Sequence, residues 1–122
     1  RHLRKGGSSV LLPDQVPGEG EGEWVSFFGR PAYTMTLTGR LQEATGAAIV
    51  FCFAERLPEG RGFRLVLRAR EEPLPADRAA SARAVNEGVE SLVRMAPLQY
   101  LWGYNRYKRP AGAPAAPGAI RW

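Results

Sequence analysis

The sequence predicts an α/β chain, a partial mixed β-sheet flanked by helices. Three observations predict it. Apolar runs of strand length alternate with helical stripes in the order β, helix, β, β, helix, helix. The run Ala47–Phe53 is apolar throughout, rich in β-branched and aromatic residues and without alternation, the pattern of a strand covered on both faces. Two or three strands with helices over only part of the sheet leave open edges, so the sheet is expected to be incomplete in this chain.

The elements follow in order. Arg1–Gly7 reads as a basic last helical turn closed by glycine. Because the chain opens on Arg1 with no signal-peptide pattern, it is expected to be cut from something longer. Ser8–Leu12 is a short apolar run ended by Pro13 and predicts a buried strand, with Asp14 and Gln15 at its carboxyl end. Gly18–Glu23 alternates glycine with glutamate and predicts a mobile acidic loop. Trp24–Phe28 is apolar again and is broken by Gly29-Arg30-Pro31. Thr34 is an N-cap type, and Leu37, Leu41 and Ala44 then make one face of a helix over 35–44 that Gly46 stops. After Ala47–Phe53 comes a glycine-rich turn. Phe63–Arg68 partly alternates and pairs with the preceding strand as a hairpin. Asp77 caps the longest helix, 78–95, whose stripe is Ala82, Val85, Val89, Leu92, Val93 and Ala96. Arg83–Glu87 and Glu90–Arg94 are i, i+4 pairs on its wet side. Leu98–Lys108 is an aromatic segment with Tyr100, Tyr104 and Tyr107 at helical spacing. The Ala/Gly/Pro-rich stretch from Pro110 to Trp122 predicts a disordered tail, leaving 1–109 as the domain.

Composition narrows the function. At 122 residues, 44% hydrophobic and 24% charged, the chain is an ordinary globular domain and not a coiled coil. Its longest apolar run, 46–54, is far short of the roughly 20 residues that cross a bilayer. The single cysteine, Cys52, excludes an internal disulfide, favours a reducing compartment, and in an apolar strand is expected to be a core residue. The single histidine, His2, excludes a His-rich metal site, and no cofactor is expected.

Three stretches together resemble one family. They are Leu12-Pro13-Asp14-Gln15 with Phe27-Phe28-Gly29-Arg30-Pro31-Ala32-Tyr33-Thr34; Ala54-Glu55-Arg56 with Gly62-Phe63; and Asn86, Glu90 and Arg94 running into Pro97–Pro110. The combination resembles the lipid A biosynthesis acyltransferases, the late lauroyl and myristoyl transferases of Gram-negative bacteria. The resemblance covers roughly residues 1–110. It implies a glycerolipid-acyltransferase-like fold. It also implies transfer of a fatty acyl chain from acyl carrier protein to a hydroxyl of a lipid A precursor, at the cytoplasmic face of the inner membrane. The family signature, His followed five positions later by Asp or Glu, is absent: Gly7 stands five positions after His2. The likeness is therefore to the carboxyl-terminal half, and the chain by itself is expected to be inactive.

Site residues follow from the same likeness. Asp14 and Gln15 lie past a strand end, where α/β sheets bind ligands. The resemblance places Asp14 as a supporting catalytic residue and Gln15 in substrate binding; the plain alternative is an Asx turn after proline. Arg30, with the helix opening at Thr34, could hold a lipid A phosphate, or be loop and cap only. Glu55 and Arg56 suit an ion pair fixing the hairpin. Arg106, Lys108 and Arg109 beside Trp102 and Tyr107 suit substrate phosphates or an anionic membrane surface, the alternative being a helix docked by its aromatic face. A small basic nucleic-acid-binding module, permitted by the net charge of +5, is disfavoured because the cations are dispersed. A non-catalytic truncated product is the other competing reading.

Overall fold

The computed structural model describes residues 1–118. Its regular elements are β1 (Gly22–Phe27), β2 (Arg30–Met35), α1 (Leu37–Thr45), β3 (Val50–Arg56), β4 (Phe63–Ala69) and α2 (Arg78–Met95). The strands form two separate antiparallel hairpins, β1-β2 and β3-β4, in place of the expected single mixed sheet.

The first hairpin was not foreseen as such. Gly22 pairs with Met35 and Phe27 with Arg30, so Phe28 and Gly29 make a two-residue turn. Both have positive φ, 48° and 75°, the geometry whose twist suits an antiparallel hairpin. Glu90 of α2 holds the turn by accepting the Phe28 N–H at 2.7 Å. What reads in sequence as a chain break at Gly29-Arg30-Pro31 is therefore a reversal. Thr34 lies in β2, fully buried, and caps nothing. The helix starts at Leu37 behind Thr36, and Gly46, at φ 68°, ends it as expected.

The second hairpin pairs Val50 with Ala69 and Arg56 with Phe63. β3 alternates half-buried with exposed residues, so it is covered on one face only. Phe51 turns inward and packs where Gly88 leaves room; a Cβ at Gly88 would overlap the Phe51 ring. The outward face carries Cys52, Ala54, Leu65 and Leu67, and Cys52 is exposed instead of in the core. The hairpin is pinned by Glu55 bonded to Arg64 across the strands at 2.8 Å, not to its neighbour Arg56.

Helix α2 organises the core. It lies over β1 and touches α1, β2 and β3. Asp77 caps it by accepting the Ala80 N–H at 2.8 Å, and both expected i, i+4 ion pairs form. Its buried residues Ala82, Val85, Leu92 and Val93 are members of the predicted stripe.

Ser8–Leu12 forms no strand among the described residues: Val10 is 86% exposed, because no neighbouring strand meets its backbone. Residues 98–108 form no α-helix; after a single turn at Pro97–Gln99 they run as a strap of turns. Pro110–Gly118 carries no helix or strand, yet Ala113 is buried and the Pro114 carbonyl accepts the Trp24 indole N–H. The last four positions of the expected tail lie outside the described residues.

Candidate functional site

The strap after α2 assembles the site. Its tyrosines reach two parts of the chain, the loop at 14–16 and the first hairpin. Tyr100 donates its hydroxyl to Asp14 Oδ2 at 2.9 Å. Tyr104 accepts the Val16 N–H at 2.8 Å. Tyr107 donates to the Phe27 carbonyl at 2.9 Å. The strap thus closes the loop that carries Asp14 and Gln15 onto the first hairpin.

Behind it lies a buried polar cluster. Arg106 is 3% exposed. Its guanidinium donates to the Tyr33 carbonyl at 2.8 Å, to Thr34 Oγ1 at 2.7 Å and to Asn86 Oδ1 at 3.3 Å. Asn86 in turn donates to the Ser26 carbonyl and to Thr34 Oγ1, and the Thr34 hydroxyl donates to the Ala32 carbonyl. The cation lies 5.1 Å from the Phe27 ring centroid. No carboxylate forms an ion pair with it among the described residues. Burial consequently pulls the Arg106 pKa below its ordinary value, while Tyr100 and Asp14 oppose that shift. Burial pushes the Tyr100 hydroxyl well above the ordinary tyrosine range, and the hydrogen bond to Asp14 and its charge push further. Tyr107 is raised by burial too, against the opposing charges of Arg30 and Arg106.

The expected site residues are brought together unevenly. Asp14 is half-buried in a turn closed by the Gln15 N–H on the Leu12 carbonyl, so the local turn and the long-range bond to Tyr100 coexist. Gln15 is exposed beside it. Arg30 stacks on the Tyr107 ring at 4.0 Å, at a hairpin end and not at a helix N-terminus. Lys108 lies 5.4 Å from the Tyr104 ring. Thr34 and Arg106 are interior, so Arg106 presents no charge to a membrane surface or to a ligand outside. In sequence, Asn86 stands out only through the resemblance, Glu90 also as the partner of Arg94, and the three tyrosines through their spacing and the cations beside Tyr107. Their partners lie 60 or more positions away in most cases, and no local pattern announces them.

Asp14 and Tyr100 also line an apolar cavity of about 430 Å³. Leu41, Phe51, Val85, Val89 and Leu92 line its interior. A largely apolar hollow with a few polar groups in its lining suits a ligand with a long apolar part and a polar end. Among the described residues no group of three His, Cys, Asp or Glu is placed to hold a metal, and no helix is long and apolar enough to cross a membrane.

Comparison with known proteins meets this geometry from another side. Residues 1–109 match the family described as bacterial lipid A biosynthesis acyltransferase. The chain is 35% identical over 116 residues to the lipid A biosynthesis lauroyltransferase of Escherichia coli (strain K12), which covers 93% of this chain and 38% of that protein. It is 32% identical over 112 residues to the palmitoleoyltransferase of the same organism, 90% of this chain and 37% of that one. It is 35% identical over 103 residues to the myristoyltransferase, 82% and 31%. The chain spans less than two fifths of the length of these relatives.

Proposed function

The chain belongs to the bacterial lipid A biosynthesis acyltransferase family. From that premise we propose that residues 1–109 are the carboxyl-terminal part of an acyltransferase domain of glycerolipid-acyltransferase type. The enzyme moves a fatty acyl chain from acyl carrier protein to a hydroxyl of a lipid A precursor, at the cytoplasmic face of the inner membrane. The acceptor oxygen attacks the thioester carbonyl, its proton passes to a base, and the carrier thiolate leaves. The base is a His-x4-Asp/Glu dyad that this sequence does not contain.

The observation that carries the reading is Asp14 held by Tyr100 in the lining of the apolar cavity. The bond to Tyr100 occupies Oδ2 and leaves Oδ1 to accept from the acceptor hydroxyl or from the dyad. The cavity takes acyl chain. Gln15, Arg30 and Lys108 meet the polar, phosphorylated end of the acceptor, Arg30 with a fork that matches phosphate. Thr34 and Arg106 work from behind, fixing β2 and the strap on which those groups stand.

The test is acyl transfer to a labelled lipid A precursor with lauroyl-acyl carrier protein as donor. The 122 residues alone should give no product above background. Joined to a polypeptide supplying the dyad, they should give turnover that Asp14→Ala lowers at least tenfold with the melting temperature unchanged. Activity loss that tracks unfolding would return Asp14 to the role of a turn residue.

A further inference from the structure

The turn that follows α2 reverses the usual segregation of side chains. Its polar residues are turned to partners within the protein: Gln99 accepts the Arg56 N–H at 2.7 Å and donates to the Arg56 carbonyl at 3.0 Å, and Tyr100 is bound to Asp14. Its apolar residues face water. Leu98 is 96% exposed, Leu101 73% and Trp102 56%. This exposure is not the result of a loose loop. The Trp102 indole N–H is fixed on the Pro97 carbonyl at 2.7 Å, and its ring stands edge-on to Tyr100. The Gln99 bonds seat the turn against Arg56, whose cross-strand partner Phe63 is also 69% exposed. Fixed apolar side chains held in water this way mark an interaction surface.

Charge selects the partner. No Asp or Glu follows Glu90 in the sequence, whereas Lys108 and Arg109 follow the turn; Arg94, before it, is paired with Glu90. Arg56 and Arg61 lie at the adjoining hairpin end, with Glu59 the acid between them. Leucines and an indole ringed by cations match the boundary between acyl chains and anionic head groups.

We propose that Leu98, Leu101 and Trp102 dock this protein onto an anionic lipid bilayer, with Phe63 and the flanking cations at the rim. This rests on the membrane-face placement proposed above. Its test reads lipid binding with no acyl transfer, so either can fail alone. The Tyr100 anchor of the strap would then tie the docked turn directly to Asp14.

The experiment is co-sedimentation of the 122-residue chain with phosphatidylglycerol-rich or phosphatidylcholine vesicles at low and high salt. Binding should require phosphatidylglycerol and fall with salt, since exposed charges are screened within about 10 Å at 0.1 M. Leu98→Ser with Leu101→Ser should weaken it at least tenfold; circular dichroism should be unchanged, because neither side chain is buried. Trp emission should shift to the blue on binding, and Trp102→Phe should remove the shift. Equal binding by the double variant, or a shift that survives Trp102→Phe, overturns the proposal. So does a lipid-free dimer that the double variant disperses, because a second copy would then be the partner.

Discussion

Tyr100 and Asp14 meet across 86 positions of chain through one hydroxyl, 2.9 Å from Oδ2. The bond joins the two ends of the described structure. Asp14 lies in a loop with no helix or strand of its own for support, and Tyr100 begins a strap that is equally irregular. Each is placed by the other, and both are placed by the hairpin and α2 beneath. The carboxylate's orientation is a property of tertiary structure and not of its own turn.

Tyr100→Phe should therefore act on Asp14. A hydrogen bond to a charged group contributes about 1.5–3 kcal/mol, with the lower end apt for this half-buried pair. We expect a melting temperature lowered by several degrees. In a dyad-containing enzyme, turnover should fall more than stability alone explains. A variant with wild-type turnover would show that Asp14 needs no such support.

Alkaline pH should unfold the chain through the same hydroxyl. The folded state holds the Tyr100 proton more tightly than the unfolded state, whose value is the ordinary 10.0. The stabilisation is whole below pH 10 and is lost as pH climbs above it, where the unfolded chain ionises first. Tyr107, raised by burial as well, adds in the same direction. Thermal melts between pH 8 and 11 should show this decline, and Tyr100→Phe should flatten it. A profile as steep in the variant would assign the effect elsewhere.

How much of this was legible in sequence follows from the range of each interaction. Helix α2 could be read to its ends because Asp77, the stripe and both ion pairs act within four positions. The β3-β4 pairing could be read because its strands are neighbours in the chain. Thr34 looked like a cap because its real partners, Asn86 and Arg106, lie 52 and 72 positions away. The tyrosine spacing 100, 104, 107 mimicked a helix, while two hydroxyls answered to the loop at 14–16 and the third to β1. Cys52 looked interior because its strand is apolar throughout, but composition does not say whether a second face is covered. Asp14 drew attention through its neighbours in the motif; nothing near it in sequence pointed to Tyr100.

Gly88→Ala should be costly for a helix substitution that ordinarily stabilises. The added Cβ would enter the Phe51 ring, which must swing out of its place or push β3 from α2. Overpacking of this kind costs about 1–3 kcal/mol, against less than 1 kcal/mol gained in helix propensity. We expect net destabilisation in urea melts, largely recovered by pairing it with Phe51→Leu. A stabilised single variant would mean that the helix and the hairpin slide freely.

Arg106 sets two large terms against each other. Burying a cation is expensive, and replacing a buried charge by an apolar residue can be neutral or better. Here the guanidinium is the donor that serves the Tyr33 carbonyl and Asn86 Oδ1, while Thr34 Oγ1 keeps Asn86 when Arg106 is removed. Two buried acceptors would be left without it, at about 1–3 kcal/mol each. The cavity left by the side chain adds to that loss. Arg106→Ala should therefore destabilise by about 2–4 kcal/mol, and Arg106→Met by less, because it fills the space without restoring the donors. Arg106→Lys should recover only part, since a point ammonium cannot span acceptors arranged for a planar fork. None of the three should alter vesicle binding per folded molecule, because the side chain is interior. A variant that melts like the wild type but loses binding to anionic vesicles would place Arg106 at the surface, and the polar cluster would then not be what holds the strap.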